Sequence, residues 1–225
     1  MMITLTSIDR KETLRYLACK NDNIDESTMA IMDKCEKELL DVIAPKFIYR
    51  YFDIDSSEDT IKLSGSSLIM EGNDIKAHLS GCSGAVLIAA TLGPHADRLI
   101  RKMQITDMAE AVITDAFASA AIEQVCAAAE DSIKGEFPGK YFTWRYAPGY
   151  GDFPIDVQKK FLDVLDAPRK IGLCTSGSSM LNPIKSITSV MGVSEKAITG
   201  KARGCITCTM KEVCRFRKEG MHCGF

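Results

Sequence analysis

Apolar residues recur along the chain with a helical period in some segments and a strand period in others. Between residues 25 and 43 they follow one helix face, and Pro45 is expected to end that helix. A second helical run from Asp107 to Ile133 is rich in alanine, and Asp107 and Glu110 have the spacing of a capping box. Both runs are predicted to be helices that pack against a core.

Other segments have the patterns of strands. Residues 47–51 and 61–63 alternate between apolar and other side chains, whereas residues 85–90 are apolar on both faces, which is typical of a central strand. Strands and helices do not alternate regularly, so the pattern predicts an α+β fold with helices packed on a twisted, largely antiparallel β-sheet. The remaining predicted elements are a helix opened by Asp9 and Glu12, a short helix capped by Asn73 and ended by Gly81, a helix after Gly93-Pro94, a helix over 155–165, and strands near 141–144, 171–174 and 186–191.

Composition and charge narrow the classes of function. The 225 residues are 46% hydrophobic and 26% charged, with a formal net charge of −2, so no overall field favours nucleic acid or an anionic membrane. We expect no membrane span, because no window reaches the required run of roughly 18 apolar residues, and no leader at the start, so a cytoplasmic protein is predicted. Residues 1–200 are expected to form one domain, followed by a cysteine-rich basic tail over 201–225.

The segment from Arg145 to Pro154 has the residue types of a ligand-binding loop. Its prolines and glycines exclude regular helix or strand and leave backbone groups free to contact a ligand. An arginine can hold a carboxylate with two parallel hydrogen bonds, and a tyrosine ring can lie against a sulfonium or a flat ring. These types suit a small zwitterionic ligand, although on the residues alone a surface loop with no ligand is the better interpretation.

Two motifs resemble those of a known family. The run Arg-x-Ala-Pro-Gly-Tyr at 145–150, followed by Pro154, resembles the S-adenosylmethionine-binding signature of the activation domain of vitamin B12-dependent methionine synthase. The stretch from Thr175 through Met180 to 183–189 is similar to the segment Thr…Met…Pro-x-x-Ser-Val-Ser-Gly of that family. The helix over 115–125 resembles the Asp/Ala-rich helix of the family, and residues 8–17 resemble the start of its freestanding, anaerobe-type members. The resemblance covers about residues 5 to 195.

This resemblance implies an accessory role in reactivation, in which S-adenosylmethionine methylates a cobalamin that has been reduced again after accidental oxidation. Arg145 would hold the carboxylate of the ligand, Ala147 would offer backbone contacts, Tyr150 would pack near the reacting end, and Glu123 would line the same site. The full implied binding set is Arg145, Ala147, Gly149, Tyr150, Glu123 and Ser186. No general acid or base is implied, because methyl transfer to a strong nucleophile depends above all on positioning.

The implied partners are a cobalamin-binding methionine synthase subunit or another corrinoid protein, and an electron donor such as flavodoxin or ferredoxin. The chain carries no homocysteine, folate or cobalamin module, so it is expected to be a component of a methyltransferase system rather than a complete enzyme. Two departures from the family stand out. The stretch 139–144 lacks the acidic residue that precedes the family's arginine, and Lys185 replaces a residue that is often small.

The tail adds a second candidate site, a metal centre. Cys205, Cys208, Cys214 and Cys223 lie within 21 residues and are surrounded by lysines and arginines. Four soft ligands at this spacing can hold a tetrahedral Zn2+ or an iron–sulfur cluster, and a cluster there could supply the electron for reactivation. Disulfides or free thiols are the alternatives, and a metal-binding interaction or redox module without methyl transfer is the competing function.

Overall fold

The computed structural model of the chain describes residues 1–19, 24–56, 60–198 and 212–213. Eight strands and seven α-helices lie within these residues. The strands are β1 (Lys46–Ser56), β2 (Ile61–Leu63), β3 (Ile69–Met70), β4 (Gly84–Thr91), β5 (Tyr141–Phe142), β6 (Cys174–Thr175), β7 (Leu181–Asn182) and β8 (Ser186–Ser194). The helices are α1 (Arg10–Tyr16), α2 (Glu26–Val42), α3 (Asn73–Leu79), α4 (Pro94–Thr106), α5 (Met108–Glu136), α6 (Gln158–Leu165), which follows a 3-10 turn at Ile155–Val157, and α7 (Ala167–Ile171).

Six of the strands form one antiparallel sheet in the order β3-β2-β1-β4-β8-β5, and β6 pairs with β7 in a small separate hairpin. All eight residues of β4 are buried, as its uniformly apolar sequence predicts. The strand therefore lies at the centre, between β1 and β8. The α+β prediction with a largely antiparallel sheet is confirmed.

Helices cover both faces of this sheet. On one face α2, α4 and α5 bury a core that includes Phe47 of β1 and Phe117 of α5, and α1 packs at its margin. On the other face α3, α6 and α7 bury a core around Phe161, to which Phe153 also belongs. Since side chains alternate along a strand, β4 and β8 contribute to both cores at once.

The predicted starts of three helices are confirmed by their caps. The carboxylates of Asp9, Asp25 and Asp107 each accept a hydrogen bond from a backbone N–H in the first turn of α1, α2 and α5. The caps of α1 and α5 were predicted from two residues three positions apart, whereas for α2 only the approximate start was predicted. Such local signals are enough to fix where these helices begin.

Two local predictions are wrong. The strand expected near 171–174 begins only at Cys174, because Ile171 is the last residue of α7 and Gly172, at φ +72°, ends that helix. Asn73 does not cap α3. The residue at the cap position is Gly72, which has no side chain to accept a hydrogen bond, and the missing acceptor comes from a distant aspartate that is described below.

Helix α5 would be long and apolar enough to cross a membrane by length and composition alone, with a mean hydropathy of 1.3 over its most apolar window. In the structure 61% of that window is buried within the protein. That is the position of a core helix, and its many alanines let the sheet and the neighbouring helices approach closely.

Candidate functional site

Two basic side chains, one from each family-like motif, bind a line of polar side chains along α5, which consists of Asp115, Ser119, Glu123 and Glu130. Arg145 donates from Nη2 to Glu123 Oε2 at 3.0 Å and from Nε to Glu130 Oε2 at 3.1 Å. The Arg145 side chain is 12% exposed, and those of Glu123 and Glu130 are 36% and 20% exposed. Glu130 also accepts from Lys134 at 2.7 Å. The structure therefore brings together Arg145 and Glu123, which were both expected to line one site, while their roles in ligand binding stay predictions.

Lys185 is the second basic residue on this line. Its ammonium lies 2.9 Å from Asp115 Oδ1 and donates to Ser119 Oγ at 2.9 Å and to the Asp115 carbonyl at 3.1 Å. The side chain is only 11% exposed. The lysine that departs from the family pattern thus anchors the start of β8 to α5, about one to two helical turns before Glu123.

The 145–154 loop begins at the edge of the sheet. Tyr146 and Val190 of β8 exchange both backbone hydrogen bonds, at 2.9 Å and 2.7 Å. Because successive side chains point to opposite faces, Arg145 reaches α5 on one face while Tyr146 is buried in the core on the other. The sheet edge therefore fixes the direction of the arginine.

Beyond the edge the loop closes on itself. The Gly149 N–H donates to the Phe153 carbonyl at 2.8 Å, and the Phe153 N–H donates to the Tyr150 carbonyl at 3.0 Å. Phe153 is buried, whereas Tyr150 is 65% exposed at the outer turn of the loop. Gly149 has φ +92°, a conformation that side chains other than glycine rarely adopt. The turn thus leaves the Tyr150 ring exposed, with its centroid 6.3 Å from that of Tyr146.

Ser186 occupies a different position. Its hydroxyl donates to Thr91 Oγ1 at 2.8 Å between β8 and β4, and the residue is buried in the sheet. The structure does not bring it to the ion pair of Arg145. Its role in ligand binding stays a prediction from the resemblance, as do the roles of Ala147, Gly149 and Tyr150.

The electrostatics keep the arginine charged and the neighbouring thiol inert. Burial opposes the charge of Arg145, but Cys126 and the two carboxylates outweigh that effect and raise the pKa of its guanidinium. Burial raises the pKa of the fully buried Cys126 to about 12, with Arg145 acting in the opposite sense. A thiol with so high a pKa is not a nucleophile at neutral pH.

Two contributors to this site were not predicted from the sequence. Glu130 of α5 supplies a second carboxylate to Arg145. The sequence shows only that residues 139–144 lack the acidic residue that precedes the family's arginine. The position of Glu130 seven residues after Glu123, two turns along the same helix face, is the signal that could have revealed it. Tyr16 of α1 is the other, because burial and then the charge of Glu123 raise the pKa of its phenol.

The predicted metal ligands Cys205, Cys208, Cys214 and Cys223 lie outside the described residues, which include only 212–213 of the cysteine-rich tail. Within residues 1–19, 24–56, 60–198 and 212–213, no group of three or more histidine, cysteine or acidic residues is arranged to hold a metal ion. The metal centre stays a prediction from the spacing of the cysteines.

Comparison with known proteins places the fold. No protein-family model matches the chain, and no curated protein matches it either. Among solved structures, the chain is similar to the crystal structure of the MetH reactivation domain bound to AdoHcy, with a TM-score of 0.61 and 14% sequence identity. The match covers 94% of this chain and 74% of that one. At this identity the likeness establishes that the chain has the fold of that reactivation domain.

Proposed function

We propose that this chain binds S-adenosylmethionine (AdoMet) where the 145–154 loop meets α5, and that it supports reductive methylation of cob(II)alamin in a corrinoid protein such as a cobalamin-dependent methionine synthase. The observation that carries the proposal is the ion pair of Arg145 with Glu123, two motif residues 22 positions apart that meet at 3.0 Å. The likeness in fold to a reactivation domain that binds AdoHcy supports the same ligand class.

The chemistry of the side chains fits a zwitterionic ligand that also carries a sulfonium. Two of the five N–H donors of Arg145 bond to carboxylates on α5, and the other end of the guanidinium suits the ligand carboxylate. The partly exposed carboxylate of Glu123 suits the ammonium or the sulfonium. The exposed ring of Tyr150 suits a flat or cationic group.

In the proposed reaction, AdoMet gives its methyl group and one electron comes from a donor such as flavodoxin or ferredoxin, so that cob(II)alamin becomes methylcobalamin and AdoHcy is released. In this reaction, Arg145, Glu123 and the loop transfer no proton and form no covalent bond with the ligand. Arg145, Glu123 and the loop orient the sulfonium, which is the main requirement for a direct methyl transfer.

Calorimetric titration with AdoMet tests the binding step. We expect the wild-type chain to bind and Arg145→Ala to lose about 2–4 kcal/mol of binding free energy, because a charge-assisted contact in a partly dry site is removed. Arg169→Ala is the matched control, since this arginine is 82% exposed and pairs with Asp166 away from the loop. Equal affinity of the wild type and Arg145→Ala would refute the role of the arginine.

The reactivation step needs a second assay. The chain is mixed with a corrinoid protein loaded with cob(II)alamin, AdoMet and a reductant, and the methylcobalamin spectrum is followed. We expect the spectrum to develop faster with the wild-type chain than with Arg145→Ala. A rate that is unchanged when the chain is omitted would reject the reactivation role while leaving AdoMet binding intact.

Metal analysis tests independently whether the cysteines of the tail hold a centre that supplies the electron. Purification without oxygen, followed by iron, sulfide and zinc analysis, measures whether Cys205, Cys208, Cys214 and Cys223 hold a metal. A content below about 0.2 equivalents of every metal would reject both the zinc and the iron–sulfur prediction, because a site that is formed by folding binds its ion tightly.

A further inference from the structure

The 145–154 loop is fastened to α3 by a reciprocal pair of aspartates. The carboxylate of Asp152 accepts from the N–H groups of Asn73 and Asp74 at 2.7 Å and 2.9 Å. The carboxylate of Asp74 in turn accepts from the Asp152 N–H at 3.2 Å. These bonds, here called the Asp74–Asp152 clasp, supply the cap that Gly72 cannot give to the first turn of α3.

Two glycines make room for the clasp. A Cβ atom on Gly72 would lie 2.7 Å from Asp152 Oδ1 and 2.8 Å from the Asp152 carbonyl oxygen. A Cβ atom on Gly151 would overlap Asp74 Oδ2 and lie 2.7 Å from the Tyr146 hydroxyl. Asp152 thus occupies the space left by Gly72, and Asp74 occupies the space left by Gly151, so the fit depends on both segments.

The other end of α3 also supports the loop. His78 is buried, with its ring centroid 4.6 Å from that of Trp144 and 5.0 Å from that of Tyr146. Its Nε2 atom lies 2.8 Å from the hydroxyl of Thr143. Helix α3 therefore contacts the chain just before the loop at one end and the clasp at the other.

The clasp lies directly beside the part of the loop that faces outward. Tyr150 is two residues before Asp152, and its carbonyl accepts from the Tyr146 hydroxyl at 3.1 Å. With Tyr146 fixed in the core and Asp152 fixed to α3, both sides of the turn that carries Tyr150 are held. The conformation of this turn is therefore set by contacts outside the ion pair of Arg145.

From this geometry we infer that Asp152 is a positioning residue for the AdoMet site, which acts through α3 and does not itself contact the ligand. The inference rests on the proposed function. When the competent conformation is only partly populated, the apparent dissociation constant rises by the inverse of its fraction. Loss of the clasp is expected to weaken AdoMet binding about five- to tenfold, the range typical for loss of a helix cap.

Three variants test this with one calorimetric titration each. Asp152→Ala should weaken AdoMet binding about five- to tenfold. Asp152→Asn should weaken AdoMet binding less than Asp152→Ala does, because asparagine keeps one acceptor oxygen while its amide nitrogen cannot accept from the other N–H. Asp156→Ala, which removes the same charge at an exposed position four residues away, should leave the affinity unchanged. Equal affinity of Asp152→Ala and the wild type would overturn the inference and leave the proposed function intact.

The rate of backbone amide hydrogen exchange reports on the Asp74–Asp152 clasp in the absence of AdoMet. Gly151→Ala should speed exchange at the Asp152 amide, because the new Cβ atom expels the Asp74 carboxylate that accepts its hydrogen bond. Gly139→Ala is matched to it, since Gly139 also has positive φ (+79°) but has open space where a Cβ would lie. If the Asp152 amide exchanges as slowly in Gly151→Ala as in the wild type, the Asp74 carboxylate does not protect it and the clasp is refuted. A wild-type chain with protected amides but no AdoMet binding would instead reject the proposed function.

Discussion

Removal of Arg145 should destabilise the protein as well as its ligand site, and the two effects can be separated. Arg145→Met keeps much of the apolar stem and deletes the guanidinium, which leaves Glu123 without its partner and Glu130 with only Lys134. Breaking a fully buried pair costs about 3–5 kcal/mol and an exposed pair about 0–1 kcal/mol. With its partly exposed carboxylates this cluster lies between those limits, so we expect a loss of about 2 kcal/mol in the free energy of unfolding.

A double-mutant cycle by urea unfolding measures this coupling. Glu123→Gln alone is expected to cost about 1 kcal/mol, and the double variant about 2 kcal/mol rather than 3, since the second change removes a carboxylate that the first left unpaired. Arg169→Met, at an exposed pair, is expected to change the free energy of unfolding by less than about 0.5 kcal/mol. Additive costs within about 0.3 kcal/mol would refute the coupling that is inferred from the geometry.

The same samples separate folding from binding. A ligand that binds only the native state stabilises it by RT ln(1 + [L]/Kd) and so raises the midpoint of unfolding. Excess AdoMet should therefore stabilise the wild type and Arg169→Met, but not Arg145→Met. Equal stabilisation of all three would mean that the arginine supports the fold alone.

Three further predictions concern the loop, the sheet and the thiols. Because backbone hydrogen bonds lower the pKa of Asp152, the clasp should be complete above the ordinary aspartate pKa of 3.8 and open only as the pH falls through the lowered pKa. Amide exchange between pH 5 and pH 2 would follow this opening, and opening already at about pH 5 would contradict the prediction. Gly192→Ala should cost about 1–3 kcal/mol in urea unfolding, because the new Cβ would lie 2.5 Å from Cys82 Sγ, and a neutral result would show that β8 can shift. Alkylation followed by peptide mapping should label the exposed Cys19 and spare Cys126 in the native protein, since burial raises the pKa of the latter thiol; equal labelling would refute that burial.

Short-range signals in the sequence predicted the elements of the fold well. The caps at Asp9, Asp25 and Asp107 and the uniformly apolar β4 are all set by residues within a few positions of one another. The strand expected near 171–174 was wrong because the local signal there was ambiguous. An apolar run of four residues does not distinguish the end of a helix from a short strand.

The site itself was predictable only in part. The meeting of Arg145 with Glu123 followed from the resemblance, whereas the acceptor for the first turn of α3 is Asp152, about 79 residues away along the chain. No propensity or spacing connects two segments so far apart, because their contact exists only once the sheet has brought them together. Lys185 was visible as a departure from the family, but its contact with Asp115 required the geometry of β8 against α5.

The place of β8 in the sheet has a consequence for how the protein is made. The strand lies between β4 and β5, although it is the last of the six to be synthesised, and Tyr146 depends on it for both of its backbone bonds. A nascent chain that has reached residue 180 has already exposed its most apolar strand, β4, with one edge still unpaired. Until residues 186–194 leave the ribosome, that edge is open to other chains, and the 145–154 loop has no strand to align it. Folding of the ligand site and protection against aggregation should therefore be completed in the same late step.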